Sequence, residues 1–575
     1  MKIAVRLWQV IQPHQRWIWW GLILLLATAA CRLTLPYLVK LAVDDHLVPG
    51  QLEGFGLLMA FFLGTAIFEV VCRRSQLIAL ETAGQNALLD LRLKVFRHLQ
   101  QLPARFYDKT PIGRLVGRVT TDIEALQEMF SSGVVTIFGD LIFLAAATVL
   151  LLELSAELTL TTILMVPALV LTTMFVRQRV RRAYSAMREQ LSQLNGFLYE
   201  QVSGMPIVQM FAQEANRTGD FAKINYGVQD AQLKSVRWES LLSAATEMLG
   251  FYTTALILWY GGGLAAEEVI PLGTLLAFVQ YMGHFFTPLT ELSLKYTAMQ
   301  NALVASERIF ALLDETPETP DSPDSAPLQG KGTIEFRNIH FEYNKDKPVL
   351  RDISFQAKAG ESIAIVGATG SGKSTLLNLL TRLYEPQEGQ ILVDGVDITQ
   401  APRTDLRRRI GVVPQDVFLF QGNILDNIRL GHPNISDAEA IRAADKLHLD
   451  EIVARFPGGY FEPLAERGKN LSSGEKQLIA FARMLVVAPR ILALDEATSN
   501  VDSHTEQLLQ EAVQRLMVDR TSIIIAHRLS TIRDVDRILV LHEGELVESG
   551  NHDDLLAARG VYWRLDQMQH QDAEG

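Results

Sequence analysis

The sequence predicts an all-α membrane domain with six spanning helices, followed by a soluble α/β domain. Three observations predict this fold class. The chain has 575 residues, which is too long for one ordinary domain. Long apolar segments occur only before about residue 313, and a phosphate-loop motif occurs well after it. A segment rich in Pro, Asp and Ser joins the two parts, so we predict domains at 1–312 and 333–575 and a linker at 313–332.

The membrane domain is predicted from six apolar segments, each long enough to cross a hydrocarbon core of roughly 30 Å. They lie near residues 17–43, 55–80, 133–153, 157–177, 240–263 and 271–293. The loops after the second and fourth segments are rich in Lys and Arg, whereas the alternate loops carry Asp and Glu but no Lys or Arg. Because basic loops stay inside, we expect a multi-pass protein of the cytoplasmic (inner) membrane, with both termini and the soluble domain in the cytoplasm.

Five ionisable residues interrupt the apolar segments: Arg32, Glu69, Asp140, Glu247 and His284. A charge in the middle of a bilayer costs about 2.5–3.5 kcal/mol on insertion scales. Such side chains are therefore expected either to line a substrate path or to pair with one another.

The overall charge excludes one class of partner. The formal net charge is −12, so nucleic-acid binding has no electrostatic support and no nucleic-acid partner is expected. The two cysteines, Cys31 and Cys72, both lie in apolar segments and indicate no disulfide framework.

The motif GATGSGKS, at Gly367–Ser374, fits the phosphate-loop pattern G-x-x-x-x-G-K-[ST]. The apolar run before it predicts a buried strand over 361–366, and helical spacing after it predicts a helix over 375–384. In this context backbone N–H groups and the helix N-terminus hold phosphate oxygens. Lys373 adds a positive charge, and Ser374 can hold Mg²⁺.

Another apolar run, ILALD, ends in Asp495. A carboxylate at the end of a buried strand can hold Mg²⁺ beside a phosphate loop. Glu496 follows directly. It can act as the general base for an attacking water, or it can be an acid that favours the start of a helix.

Three more residues are candidates because of their positions along predicted strands. Gln415 follows the run GVV, and His527 follows the run SIII. Ligands of doubly wound sheets bind where strands end, so His527 is placed to contact a phosphate. Tyr343 lies upstream of the phosphate loop; it can stack on an adenine ring or be an ordinary edge-strand tyrosine.

The motif LSSGEKQ, at Leu471–Gln477, lies shortly before the ILALD run. With it, the chain resembles the ATP-binding cassette (ABC) exporters in their half-transporter arrangement, over nearly its whole length. The segments 106–122 and 208–217 resemble the two intracellular loops of that family. The resemblance implies a type I ABC exporter-like membrane domain followed by a P-loop nucleotide-binding domain that uses ATP and Mg²⁺.

The resemblance also implies residue roles. Tyr343 would stack on adenine, Gln415 would sense Mg²⁺ and the attacking water, and Asp495 would hold Mg²⁺ with Ser374. Glu496 would polarise the water and His527 would grip the γ-phosphate. The residues that would wrap the phosphates are Gly367, Ala368, Thr369, Gly370, Ser371, Gly372, Lys373, Ser374 and Thr375.

In this family each ATP lies between the phosphate loop of one subunit and the signature of the other, so the resemblance implies a dimer. Ser472, Gly474 and Glu475 would then contact ATP held by the second half-transporter. Ser473 and Glu475 depart from the usual L-S-G-G-Q. Either Glu475 still accepts ribose hydroxyls, or the altered signature marks a heterodimer with one weakened site; we expect the heterodimer.

Taken together, these features predict ATP-driven export of a hydrophobic or small amphipathic substrate, such as a drug or lipid, by alternating access. ATP would be hydrolysed at the interface of the nucleotide-binding domains. Two alternatives are a regulatory subunit that binds ATP with little turnover of its own and a nucleotide-gated channel.

Overall fold

The computed structural model describes residues 2–318, 321, 327–432, 434–495, 503–525 and 532–574. The chain divides into two compact units. The first comprises residues 1–102 and 110–315, and the second comprises residues 103–109 and 316–575. The short segment 103–109 therefore packs with the second unit, although it lies within the first 312 residues of the chain.

The first 313 residues are almost entirely helical. The α-helices are α1 Lys2–Ile11, α2 Gln15–Leu41, α3 Phe55–Gln101, α4 Ala104–Lys109, α5 Ile112–Val119, α6 Thr121–Glu128, α7 Val134–Leu154, α8 Ala156–Ile163, α9 Met165–Ser203, α10 Met205–Met210, α11 Glu214–Leu256, α12 Gly262–Ala266 and α13 Leu272–Leu313. Short π-helical segments occupy Ala42–Leu47, Met129–Gly133 and Ile257–Gly261.

Within the described residues, four helical stretches are long and apolar enough to cross a membrane. They are Ile3–Leu47, Phe55–Gln101, Val135–Leu154 and Glu214–Ala266. They contain the predicted first, second and fifth spans and nearly all of the third. The predicted fourth and sixth spans fall mainly on α9 and α13, where several side chains lie outside the described set.

Small residues allow close helix contacts in the first unit. A Cβ atom on Gly21 of α2 would lie 2.5 Å from Leu80 Cδ2 of α3, and one on Gly139 of α7 would lie 2.6 Å from Leu25 Cδ1 of α2. Either substitution would force the neighbouring leucine to move, since the core is densely packed.

Besides α4, the second unit contains two sheets and nine further α-helices among its described residues. The strands are β1 Ile334–Asn344, β2 Lys347–Ala357, β3 Ser362–Val366, β4 Glu388–Val393, β5 Val396–Asp397, β6 Ile410–Val413, β7 Ile491–Asp495, β8 Thr521–Ile525, β9 Arg537–His542 and β10 Glu545–Gly550. The helices are α14 Lys373–Leu380, α15 Arg403–Arg409, α16 Ile424–Arg429, α17 Asp437–Asp445, α18 Leu449–Val453, α19 Ser473–Val487, α20 Ser503–Met517, α21 His552–Ala558 and α22 Val561–Glu574.

The larger sheet has the strand order β10-β9-β3-β8-β7-β6, and β3, β6, β7, β8 and β9 run parallel. The smaller, antiparallel sheet has the order β2-β1-β4-β5. Alternate residues of β3 face two different cores: Ile363 and Ile365 join one apolar cluster, and Ala364 and Val366 join the other. Burial on both faces explains the continuous apolar run in this strand.

Candidate functional site

The larger sheet brings several strand ends to one edge. The phosphate loop begins after Val366, at the end of β3. Strand β8 lies between β3 and β7, and its last residue, Ile525, pairs with both Ile365 and Asp495. Strand β6 pairs in parallel with the far side of β7. Ligands of open α/β sheets bind at this carboxyl edge, so the phosphate loop and Asp495 share the expected site.

Two positions of the phosphate loop require glycine. A Cβ atom on Gly367 would lie 2.2 Å from the carbonyl oxygen of Leu541. Gly372 has φ +101°, and its Cβ would lie 2.6 Å from Leu350 Cδ2. The loop can therefore approach its neighbours, and a ligand, only through bare backbone. Ala368, Thr369 and Gly370 are exposed.

The side chains of the loop form a set of donors. Lys373 is buried, and its Nζ donates hydrogen bonds to the carbonyl oxygens of Gly367 at 2.8 Å and Ala368 at 3.0 Å. The Ser371 hydroxyl is buried and has no hydrogen-bond partner among the described residues. Ser374 is exposed in the first turn of α14. An ammonium, hydroxyls and a helix N-terminus together fit the phosphates of a nucleotide.

Tyr343 lies on β1 and is anchored to α14. Its hydroxyl donates a hydrogen bond to Thr375 Oγ1 at 3.3 Å and accepts one from Asn378 Nδ2 at 3.2 Å. Its ring makes edge contacts with Phe341 and Tyr384, at centroid distances of 4.8 and 5.0 Å. The ring is thus held next to the phosphate loop, as a platform for adenine requires.

Tyr384 was not singled out from the sequence. Besides contacting Tyr343, its hydroxyl donates a hydrogen bond to the carboxylate of Asp108 on α4. The predicted intracellular-loop segment 106–122 therefore contributes one residue that reaches the aromatic cluster beside the phosphate loop. No local sequence signal links residues so far apart in the chain.

The signature segment begins α19 with a capping box. The Ser472 hydroxyl accepts a hydrogen bond from Glu475 N at 3.2 Å, and Ser472 N donates one to Glu475 Oε2 at 2.9 Å. The second carboxylate oxygen of Glu475 forms an ion pair with Arg455. Gly474 and Glu475 are buried, whereas Ser472 and Ser473 are exposed. The spacing S-x-x-E is a recognisable capping signal, but nothing in the sequence indicates Arg455.

Gln415 is exposed, two residues beyond the end of β6. The segment after it is braced by Arg483 of α19, whose Nη1 donates to the Phe418 carbonyl at 3.1 Å and whose Nε donates to the Asn427 carbonyl at 2.6 Å. Burial lowers the pKa of Arg483 to about 10, so the guanidinium stays charged at neutral pH. The signature helix and the segment after Gln415 are thus connected by hydrogen bonds.

Two predicted catalytic residues, Glu496 and His527, lie outside the described residues. For Mg²⁺, the sequence offers oxygen atoms from Ser374, Gln415 and Asp495, which is the ligand type that this ion prefers. No cluster of three His, Cys, Asp or Glu side chains in the described part of the chain could hold a metal alone. The oxygen atoms of Ser374, Gln415 and Asp495 therefore fit a Mg²⁺ ion that is held jointly with the nucleotide phosphates. The ion would screen the charge of those phosphates.

Comparisons with known proteins agree with this geometry. The family described as ABC transporter transmembrane region matches residues 18–289, and the family described as ABC transporter matches residues 350–499. A fatty acid ABC transporter ATP-binding/permease protein of Mycobacterium tuberculosis is 38% identical over 527 residues, covering 90% of this chain and 83% of that protein. An ATP-dependent lipid A-core flippase of Syntrophus aciditrophicus is 34% identical over 573 residues, covering 100% and 95%.

Among solved structures, a bacterial Atm1-family ABC exporter with ATP bound is 32% identical, with a TM-score of 0.79 and coverage of 96% of this chain and 98% of that chain. Fold and site therefore define a membrane transporter that binds and hydrolyses ATP. The chain belongs to the ABC transporter family, with an exporter-type membrane domain. It is a multi-pass protein of the inner membrane with a cytoplasmic ATPase domain, and half-transporters of this type act as dimers.

Proposed function

We propose that this protein is one subunit of an exporter that moves hydrophobic or amphipathic molecules outward by alternating access. One observation carries the proposal: a phosphate loop and Asp495 share a sheet edge in a chain that also supplies its own membrane helices. The names of two relatives, a fatty acid transporter and a lipid A-core flippase, support lipid-like cargo. Residues 1–312 form the transport domain, 313–332 the linker and 333–575 the ATPase domain.

The chemistry is assigned to this chain as follows. Lys373 and the loop backbone bind the phosphates, and Tyr343 stacks on adenine. Ser374, Gln415 and Asp495 hold Mg²⁺, which supplies charge screening when bound. Glu496 polarises the attacking water, and His527 contacts the γ-phosphate.

The second subunit is a different half-transporter. Ser472, Gly474 and Glu475 contact ATP bound by that partner, and Ser473 makes that shared site the weaker one of the pair. The altered signature supports this pairing, because an added side chain at Ser473 crowds a close backbone approach.

Replacing Glu496 with Gln tests this assignment in the assembly extracted from the membrane. We expect ATP hydrolysis to fall about 100-fold or more, since general-base catalysis contributes about 10²–10⁴-fold, while ATP binding persists. Glu545→Gln, at an exposed residue of β10, is the matched control and should keep full activity. Unchanged hydrolysis in Glu496→Gln would instead assign this chain a regulatory role.

Transport itself is tested in sealed proteoliposomes with fluorescent phospholipid and drug analogues. ATP-dependent accumulation against a gradient is expected. Movement that only equalises concentrations would indicate a nucleotide-gated channel.

A further inference from the structure

Two acidic residues of the linker contact the second unit at α15. Glu318 Oε1 lies 3.4 Å from Arg403 Nε and 3.2 Å from Arg407 Nη2. Asp321 Oδ2 accepts a hydrogen bond from Arg403 N at 3.0 Å, and Asp321 Oδ1 lies 3.8 Å from Arg382 Nη1. These two side chains, the linker carboxylates, therefore fasten the linker to α15 and to Arg382, which follows α14.

The contacts of the linker carboxylates differ from ordinary surface ion pairs. The side chains of Arg382 and Arg403 are only 7% and 12% exposed. Both arginines also contact Glu385 Oε1, at 2.9 Å from Arg382 Nε and 3.2 Å from Arg403 Nη2. Exposed ion pairs contribute little, whereas a guanidinium that water reaches poorly depends on its acidic partners. Loss of the linker carboxylates should therefore disturb the position of α15.

Helix α15 leads directly to Gln415. The helix ends at Arg409, and β6 follows from Ile410 to Val413, two residues before Gln415. Strand β6 is the last in the order of the larger sheet and pairs with β7 on one side. Because an edge strand is hydrogen-bonded on one side only, the elements joined to it help to fix its position.

Strand β6 is also packed closely against α19. A Cβ atom on Gly411 would lie 2.5 Å from Pro489 Cγ and 2.7 Å from Met484 Sδ of α19. A closely packed interior transmits displacement instead of absorbing it. A shift of α15 should therefore pass along β6 to Gln415.

We infer that Glu318 and Asp321 are positioning residues for ATP hydrolysis. By holding α15 they set where Gln415 lies relative to Mg²⁺ and the attacking water. They act through α15 and β6, without contact to the reacting atoms. The inference rests on the proposed function, from which it takes the role of Gln415.

The experiment uses the extracted assembly and a double variant, Glu318→Gln with Asp321→Asn. We expect kcat for ATP hydrolysis to fall about tenfold, since a misplacement of about 1 Å can cost about 100-fold. Mn²⁺, followed by its EPR signal with a non-hydrolysable ATP analogue, should bind at least about threefold more weakly, because residues that orient metal ligands affect metal affinity. Binding of a fluorescent ATP analogue without metal should not change.

A purely structural role predicts a different result. The double variant would then show a lower apparent Tm but an unchanged Mn²⁺ affinity and an unchanged kcat per folded molecule, and this outcome would overturn the inference. Arg407→Gln approaches the same contact from a side chain that is 40% exposed, so it should fold normally. It should lower kcat and Mn²⁺ affinity in the same direction, and wild-type values would again overturn the inference.

Two single variants test whether the carboxylate itself matters. Glu318→Asp, which keeps the charge, should recover part of the loss seen in Glu318→Gln. Glu315→Gln is the matched control, because Glu315 is an exposed acid of the same linker and forms no ion pair within the described part of the chain. A loss in Glu315→Gln equal to that in Glu318→Gln would refute the assignment.

Combination with Gln415→Ala separates this inference from the proposed function. In that background the double variant should cause little further loss of kcat, because the linker carboxylates act through Gln415, and fully additive losses would overturn the inference. An effect of Gln415→Ala with none from the linker variants would overturn the inference alone. Wild-type kcat and Mn²⁺ affinity in Gln415→Ala would overturn the proposed role of Gln415 and this inference with it.

Discussion

Arg455 forms an ion pair with Glu475, whose carboxylate also closes the capping box at the start of α19. The acid that replaces the usual glutamine of the signature is therefore engaged inside its own subunit. Its charge is offset by a guanidinium and by a backbone N–H. This arrangement gives a physical reason why an acidic residue is tolerated at a position that the family places near ATP.

Replacing Glu475 with Gln should change the KM for ATP by no more than about twofold. Glutamine closes the same capping box, and the lost ion pair involves a largely exposed arginine, so it contributes at most about 1 kcal/mol. Glu475→Ala should lower the stability of the protein more, since loss of a helix cap costs about 0.5–2 kcal/mol. Steady-state ATPase assays measure the KM of both variants, and thermal unfolding measures their stability. A tenfold lower KM in Glu475→Gln would mean that the carboxylate repels nucleotide after all.

Substitutions at Tyr343 should separate its ring from its hydroxyl. Tyr343→Phe keeps the ring and loses only the contacts to Thr375 and Asn378, so ATP affinity should stay within about threefold. Tyr343→Ala removes the platform, and stacking of an aromatic ring on a base contributes about 1–3 kcal/mol. Titration with a fluorescent ATP analogue should therefore show a loss of about fivefold or more. Equal losses in both variants would show that the hydroxyl, not stacking, matters.

Tyr384→Phe tests the connection from the aromatic cluster to α4. The variant keeps the ring contact with Tyr343 but loses the hydrogen bond to Asp108. Basal ATP hydrolysis should be nearly unchanged, whereas its stimulation by transported amphiphiles should fall at least twofold. Tyr226→Phe, which changes an exposed tyrosine of α11 in the same way, is the control. If basal and stimulated rates fell equally, Tyr384 would act only within the ATP site.

The effects of substitutions at Arg32 and Glu69 on folding should be coupled. Arg32→Gln leaves Glu69 without its partner among apolar helices, and Glu69→Gln does the reverse. Each single variant should lower the yield of folded protein, since an unpaired intramembrane charge costs about 2.5–3.5 kcal/mol. The double variant should recover much of the yield. Detergent-extracted protein in the monodisperse fraction measures this, and additive losses would disprove the coupling.

Asp536 should make stability depend on acid pH. Its carboxylate accepts hydrogen bonds from Ser362 N at 2.8 Å and Ser362 Oγ at 2.7 Å, which lower the pKa of Asp536. An acid with a lowered folded-state pKa stabilises the fold above its ordinary pKa of about 3.9, and this stabilisation disappears as pH falls through the folded-state value. The difference in apparent Tm between wild type and Asp536→Asn should thus stay constant from pH 8 to pH 5. If the difference in apparent Tm disappeared near pH 6, the pKa of Asp536 would not be lowered.

The sequence predicted those features that depend on local pattern. The strand before the phosphate loop and the strand that ends at Asp495 were readable because each is a short apolar run, followed in the first by the glycine-rich motif and ended in the second by a carboxylate. The span near 55–80 was also readable, but α3 continues to Gln101. Beyond residue 80 charged and amide side chains interrupt the apolar run, so hydropathy no longer reports the length of the helix.

Long-range pairs could not be predicted in the same way. Asp108 and Tyr384 are 276 residues apart, and Arg455 lies twenty residues before Glu475 without any periodic relation to it. Surface side chains of these types occur throughout the chain, so only the folded backbone selects which of them meet. The pairing of Arg32 with Glu69 is another contact that only the folded backbone selects, and Arg32 also lines a cavity.

The grouping of residues 103–109 with the second unit has a practical consequence for anyone who dissects this protein. A truncated version starting at residue 316 would lack α4, which packs with the rest of the second unit. The Tyr384 hydroxyl would then lose its hydrogen-bond acceptor, the carboxylate of Asp108. Supplying the peptide 103–109 in trans, or grafting it onto the shortened chain through a glycine tether, would restore the missing surface.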